Sequence, residues 1–191
     1  TLTGNGASNF LDGGVGNDTL RGEAGNDTLA GSTGNDVIDG GDGTDSVSGG
    51  AGNDTIWGGL GFDQISAGAG DDIALGYGST DIIFGDDGND TIDGGDGNDN
   101  LIGGAGDDVF FLDLGDASVD GGADRDTIYT RYVNTDLTTA TVALRNIEVV
   151  DLNANASGVG NTLVINRASV LAMTDPADYT LTIDGEVGDS V

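Results

Sequence analysis

Apolar residues recur along this chain at a fixed interval of nine. Leu20, Leu29, Ile38, Val47, Ile56, Ile65, Ala74, Ile83, Ile92, Leu101, Phe110, Val119 and Ile128 form one unbroken series. Two residues before each stands an acid: Asp18, Asp27, Asp36, Asp45, Asp54, Asp63, Asp72, Asp81, Asp90, Asp99, Asp108 and Asp126, with Ala117 the single break. The unit is G-G-x-G-x-D-x-U-x, with U apolar, and thirteen copies run from Gly13 to Tyr129 without insertion or deletion. A period of nine is neither the 3.6-residue helical period nor strand alternation, and fixed self-similarity of this length signals a repeat architecture.

Each unit has two physical halves. Its first six residues are rich in Gly, Asn and Asp, which favour turns and tolerate positive φ. Its last three are strand-like, with one apolar side chain free to point inward. The expected fold is therefore all-β. Three-residue strands stack turn upon turn into two parallel sheets that face each other across a thin core. Two units complete one coil of eighteen residues, giving about six and a half coils, roughly 30 Å long at ~4.8 Å per strand. Successive turns fall on opposite edges. One edge carries Asp18, Asp36, Asp54, Asp72, Asp90, Asp108 and Asp126, and the other carries Asp27, Asp45, Asp63, Asp81 and Asp99. Carboxylates one strand spacing apart repel, so the array needs cations between them. Calcium suits it, as a hard ion that takes about six to eight oxygens from carboxylates and carbonyls. Adjacent Asp pairs allow six ions on the first edge and four on the second, about ten Ca2+ in all.

The repeats Gly13–Arg21, Gly49–Trp57 and Gly94–Ile102 resemble the RTX family of calcium-binding nonapeptide repeats. The resemblance implies a parallel β-roll, a right-handed β-solenoid with two repeats per coil. It implies backbone ligands from the opening positions, with Gly13, Val15, Gly31 and Thr33 beside the side chains of Asp18 and Asp36. It also implies a bacterial protein, secreted or at the cell surface. Such a protein leaves by type I secretion unfolded, folds on meeting extracellular calcium, and is in some cases a large adhesin. A ligand-binding module for ice or polysaccharide, or an accessory module of a hydrolase or epimerase, is the alternative.

The flanks read differently. Residues 1–12 form either a decayed repeat, with Asn9 in the Asp slot and Leu11 in the apolar slot, or an N-terminal cap. Within the array, Glu23 and Ser32 replace the second glycine, at little expected cost if that position avoids positive φ. Leu60 and Phe62 are expected at the surface, and Tyr77 is expected to close its turn by packing. Arg125 is positioned to neutralise excess carboxylate. From residue 130 the period is lost, and 130–191 is expected to be a β-rich capping region. Strands are expected over 141–144, 147–152, 161–165 and 179–183, with a short helix over 167–173. An open solenoid end exposes core and strand edges and needs such a cap.

Composition narrows the function classes. There are 34 acidic and five basic residues, a formal charge of −29, which disfavours nucleic-acid binding by phosphate repulsion. No Cys and no His are present, which removes disulfides, cysteine nucleophiles, most zinc sites and His-based triads. The expected module is therefore not an enzyme. No apolar run is long enough for a transmembrane helix, and no membrane insertion is expected. The third-position row Val15, Thr33, Ala51, Ala69, Asp87, Ala105 lacks the Thr/Asn regularity of an ice-binding face. The chain opens at Thr1 and reads as a piece of a longer protein. It is expected to be a monomer whose partners are calcium and neighbouring domains.

Overall fold

A computed structural model describes residues 1–113, 115–130, 135–136, 143–151, 163–164 and 182–184. The strands of the first half are β1 (Leu2–Asn5), β2 (Phe10–Val15), β3 (Thr19–Glu23), β4 (Thr28–Thr33), β5 (Val37–Asp42), β6 (Ser46–Ala51), β7 (Thr55–Leu60), β8 (Gln64–Ala69), β9 (Ile73–Gly78) and β10 (Ile82–Asp87). They continue as β11 (Thr91–Asp93), β12 (Asn100–Ala105), β13 (Val109–Leu112), β14 (Ser118–Ala123), β15 (Thr127–Thr130), β16 (Thr135–Asp136), β17 (Ala143–Arg145), β18 (Val149–Asp151), β19 (Leu163–Val164) and β20 (Thr182–Asp184). Among the described residues there is no helix.

The strands sort into two parallel sheets by alternation. Ten form the order β1-β3-β5-β7-β9-β11-β13-β15-β18-β20, and eight form β17-β14-β12-β10-β8-β6-β4-β2. Register follows the eighteen-residue coil: Leu20 pairs with Ile38, Ile38 with Ile56, and Leu29 with Val47. This is a β-solenoid, as the period requires. The eighth-position residues all lie in one core, and Leu20, Ile38, Ile56, Ile83, Leu101, Phe110 and Ile128 are fully buried. Each coil contributes about two such side chains, so no coil holds a core by itself and each relies on its neighbours.

Half of the strands, all of them between β2 and β14, are twice the expected length. They run over six residues, through the last three of one repeat and the first three of the next, as in Thr28–Thr33. The ladder continues across the two glycines because identical turns keep the backbone of successive coils in register: Ser32 pairs with Gly50 and Thr33 with Ala51. The glycine pair bends the strand without ending its pairing.

The second position of the repeat does not avoid positive φ. Gly50 sits at φ 114°, and Glu23, Ser32, Tyr77 and Asp86 sit at 77°, 80°, 77° and 76°. The expectation of a cost-free substitution at Glu23 and Ser32 is therefore corrected. A left-handed conformation costs a non-glycine residue about 1–2 kcal/mol. Glycine in turn loosens the unfolded chain by about 0.4–1 kcal/mol. Glu23→Gly is expected to stabilise the calcium-loaded protein by about 0.5–1 kcal/mol, a rise in Tm of roughly 2 °C in a chain of this size. A lower Tm for this exposed position would show that the side chain contributes more than its backbone costs.

Tyr77 is 52% exposed, so its ring does not close the turn by packing. Leu60 and Phe62 lie at the surface as expected. Phe110 and Phe111 divide their roles. Phe110 is buried in the core, whereas Phe111 lies on the outer face and stacks on Tyr129, the ring centroids 5.7 Å apart. In the C-terminal region strands appear at 143–145, 149–151, 163–164 and 182–184, each within or beside an expected one, and at 135–136, where none was expected. The helix expected over 167–173 lies outside the described residues.

Candidate metal-binding ladders

Because coils repeat every eighteen residues, each sixth-position Asp stands above its counterpart. The carboxylate of one coil accepts the backbone N–H of the Asp one coil earlier. On the first edge Asp18 N–H donates to Asp36 Oδ1 at 2.7 Å, Asp36 to Asp54 at 2.7 Å, Asp54 to Asp72 at 2.6 Å, Asp72 to Asp90 at 2.8 Å, Asp90 to Asp108 at 2.8 Å and Asp108 to Asp126 at 2.9 Å. On the second edge the row runs Asn9, Asp27, Asp45, Asp63, Asp81, Asp99, with donor–acceptor distances of 2.6–2.8 Å. All twelve expected aspartates therefore fall into two continuous ladders with the expected edge assignment, and Asn9 opens the second.

One oxygen of each carboxylate is thus satisfied. The other is not. Oδ2 of Asp27, Asp36, Asp45, Asp54, Asp63, Asp72, Asp81, Asp90, Asp99, Asp108 and Asp126 is buried and has no hydrogen-bond partner. An unpaired buried carboxylate oxygen is costly, and a whole file of them is not a stable arrangement of bare anions. The first-position glycine explains where these oxygens point. A Cβ built on Gly58 would lie 2.7 Å from Asp63 Oδ2 and 3.0 Å from the carbonyl oxygen of Gly76, one coil on. On Gly13 it would lie 3.0 Å from the Gly31 carbonyl oxygen and 3.1 Å from Asp18 Oδ2. A carboxylate oxygen and a backbone carbonyl thus border one point, and only glycine leaves it open. At Ala67, which is buried, a methyl group occupies the equivalent place.

The backbone candidates are placed as follows. Gly13 supplies the open point and Gly31 the carbonyl beside Asp18. Val15 and Thr33 pair across adjacent coils, and the Thr33 carbonyl accepts the Gly16 N–H at 2.8 Å, which leaves one of its two lone pairs. Among the described residues no group of three or more His, Cys, Asp or Glu side chains is placed to hold a metal. The donor set is therefore one or two carboxylates plus carbonyls, the all-oxygen chemistry that suits a hard cation with flexible geometry.

Electrostatics agree with the geometry. Burial pushes Asp63, Asp72 and Asp108 up to about 7, and Asp81 and Asp90 to about 6, with neighbouring acids adding to the shift. Asp126 rises to about 8, through burial first and then through Asp108 and Glu148. Asp45, Asp54 and Asp99 are also raised by burial. Without a cation, the fold favours a proton on these groups.

RTX calcium-binding nonapeptide repeats match the chain over residues 3–38, 21–56, 57–92, 75–110 and 84–118, together more than half of its length. The chain belongs to the RTX calcium-binding nonapeptide repeat family. RTX repeats bind calcium, and they typically occur in secreted bacterial proteins. The RTX β-solenoid is a structural calcium-binding module rather than a catalytic fold. No curated protein matches the chain. The RTX donor set fits this chain on its own geometry, since the orphaned oxygens and the open glycine points recur along both ladders.

Three features escaped the sequence reading. The first is a third, exposed ladder at the fifth position: Asn35 N–H donates to Asn17 Oδ1 at 3.0 Å, Asn53 to Asn35, Asp71 to Asn53, Asn89 to Asp71, Asp107 to Asn89 and Arg125 to Asp107. Its signal was the run of Asn and Asp at every fifth position of the first edge. Arg125 joins it through its backbone, and its side chain is exposed beside the exposed Asp124. The second is Asp116. Leu112 replaces an opening glycine and is 2% exposed, and the three atoms nearest the Gly94 point all belong to Asp99. The turn instead folds on Asp113 and Asp116, with Asp113 N–H donating to Asp116 Oδ2 at 2.9 Å. Asp116 is fully buried against Asp99, its Oδ1 unpartnered, and burial followed by Asp99 raises it to about 7. Asp116 thus sets a second buried carboxylate beside Asp99, one residue before the break at Ala117, although its Oδ2 accepts the Asp113 N–H rather than that of Asp99. The third is Glu148, which accepts the Asp126 N–H at 2.8 Å.

Proposed function

We propose that this chain is a calcium-triggered folding and spacer module of a secreted or surface-anchored bacterial protein. The observation that supports this most directly is the file of buried, unpartnered Asp Oδ2 atoms, which at positions such as Gly31, Gly58 and Gly76 face a backbone carbonyl across a point that glycine leaves open. In this reading residues 13–129 are the calcium-loaded roll, 1–12 begin it and 130–191 cap it. Asp18, Asp27, Asp36, Asp45, Asp54, Asp63, Asp72, Asp81, Asp90, Asp99, Asp108 and Asp126 supply the side-chain oxygens. Carbonyls of the type of Gly13, Val15, Gly31 and Thr33 complete the shells. About ten ions are held, from the same count of adjacent Asp pairs.

The energetics make a switch. The chain has 37 glycines and a formal charge of −29, over a core one apolar residue deep in each sheet at each coil. Ordering the glycines is costly in entropy, and the stacked acids repel. Ions that bind only the folded form supply the balance. A calcium-poor cytosol keeps the chain extended enough to cross a secretion channel, and abundant calcium outside folds it as a monomeric rod between neighbouring domains.

Circular dichroism at neutral pH is the test. In EGTA the β signal should be absent, and millimolar calcium should restore it cooperatively, with calorimetry giving about ten ions. Full β signal in chelator would reject the switch. Binding of one or two ions would reject the ladder as the donor set.

A further inference from the structure

The first-edge ladder does not stop at the last repeat. After Asp126 the nonapeptide motif is gone, yet β18 continues the sheet, pairing Thr127 with Val149 and Ile128 with Val150. That register sets Glu148 where the next sixth-position Asp would stand. Its backbone behaves accordingly: Val149 N–H donates to the Asp126 carbonyl at 2.9 Å, as Thr127 N–H does to Asp108 at 2.8 Å. Its side chain does too, since Oε2 accepts the Asp126 N–H.

The carbonyl side of the site is rebuilt as well. On the opposite sheet β17 pairs Val119 with Leu144 and Asp120 with Arg145, which sets Asn146 where the next opening glycine would stand. A Cβ built on Gly121 would strike the Asn146 carbonyl oxygen and Asp126 Oδ2, the same pair of groups that meet at Gly58. In the repeat four residues separate the opening glycine from its Asp; here Ile147 alone separates Asn146 from Glu148. The turn is shorter, and glutamate's extra methylene restores the reach. Asn146 takes a left-handed φ of 49° and anchors its side chain on Asp120 at 2.8 Å, while Ile147 is fully buried and closes the core.

Asp126 is fully buried and its Oδ2 has no partner. Neither Asp126 nor Glu148 has an ion pair among the described residues, and Arg125 and Arg145 are both exposed. We propose that Asp126, Glu148 and the Asn146 carbonyl hold a further calcium ion outside the nonapeptide motif, which staples the C-terminal flank to the roll.

The inference rests on the proposed calcium loading of the repeats, and the experiment separates the two. Calcium stoichiometry and hydrogen exchange are measured on the full chain for wild type, Glu148→Gln and Glu148→Asp. The expected result for Glu148→Gln is one ion fewer. Exchange at 143–151 should quicken at least tenfold in calcium, while amides up to Asp108 keep wild-type protection. Gln keeps an oxygen to accept the Asp126 N–H, so a purely hydrogen-bonding role predicts wild-type protection and stoichiometry. Glu148→Asp keeps the charge but loses the reach, and should fall between the two. Unchanged stoichiometry and unchanged protection at 143–151 in Glu148→Gln would overturn the staple while leaving the repeat sites standing. Failure of wild type to bind calcium would overturn both.

Discussion

Acidifying calcium-stripped protein should raise its β content, in a transition that sets in as the pH falls below about 7, the value to which Asp63, Asp72 and Asp108 are pushed, and is well advanced before pH 4. The sign follows from the buried rungs. Asp63, Asp72 and Asp108 are pushed up to about 7 and Asp126 to about 8 in the folded chain, each mainly by burial. In an unfolded chain an Asp titrates at about 3.9. Between these values the folded state holds more protons than the unfolded one, so stability falls as pH rises. The contribution is complete below the unfolded value and is lost as pH climbs through the folded values. Structurally, a proton on Oδ2 turns an orphaned acceptor into a donor aimed at the carbonyl across the glycine point. A proton thus partly substitutes for calcium, and calcium binding should release protons. The measurement is far-UV circular dichroism against pH in metal-free buffer, with calcium titrations at each pH. General charge neutralisation of the surface acids would place the midpoint near 4, and that result would show that the ladders are not the titrating element.

The two ladders were legible in the sequence because they depend only on phase. Asp at the sixth position and an apolar residue at the eighth survive thirteen repeats, and any stacking with an eighteen-residue coil aligns them. Features that depend on backbone detail were not legible. The left-handed φ of Glu23 and Ser32 belongs to the turn, and a substitution at a glycine position does not reveal whether the conformation stays. Strand length was underestimated because pairing runs through glycines that composition alone assigns to turns. Asp116 and Glu148 were hidden by changes in spacing. Asp116 lies seventeen residues after Asp99 in a turn remade around Leu112, and Glu148 lies twenty-two after Asp126. A fixed-period reading leaves Asp116 in a decayed repeat and Glu148 in a strand of the cap, whereas in space each meets the last Asp of its ladder.

Asp63→Ala should be the most damaging single change in the array. Asp63 is fully buried on the second edge, with Asp45 and Asp81 as the neighbours that raise it. Its Oδ1 accepts the Asp45 N–H at 2.8 Å, and its Oδ2 faces the Gly76 carbonyl across the Gly58 point. Alanine leaves the Asp45 N–H without an acceptor, which costs about 1–3 kcal/mol on its own. In the proposed scheme it also removes a carboxylate shared by two calcium sites. The combined loss is expected to exceed about 3 kcal/mol, a fall in Tm of roughly 10 °C in saturating calcium, with two fewer ions bound. Because each coil is held only by its neighbours, the damage should spread to the coils on either side. Asp63→Asn separates the two causes. It keeps an oxygen for the Asp45 N–H but gives up the charge, so it should lose the ions and most of the stability if calcium is the main support. Asp18→Ala, at the half-buried start of the first edge, should cost far less, since a single neighbouring rung depends on it. An Asp63→Asn protein with wild-type stoichiometry and Tm would mean that the ladder is held by its hydrogen bonds and not by metal.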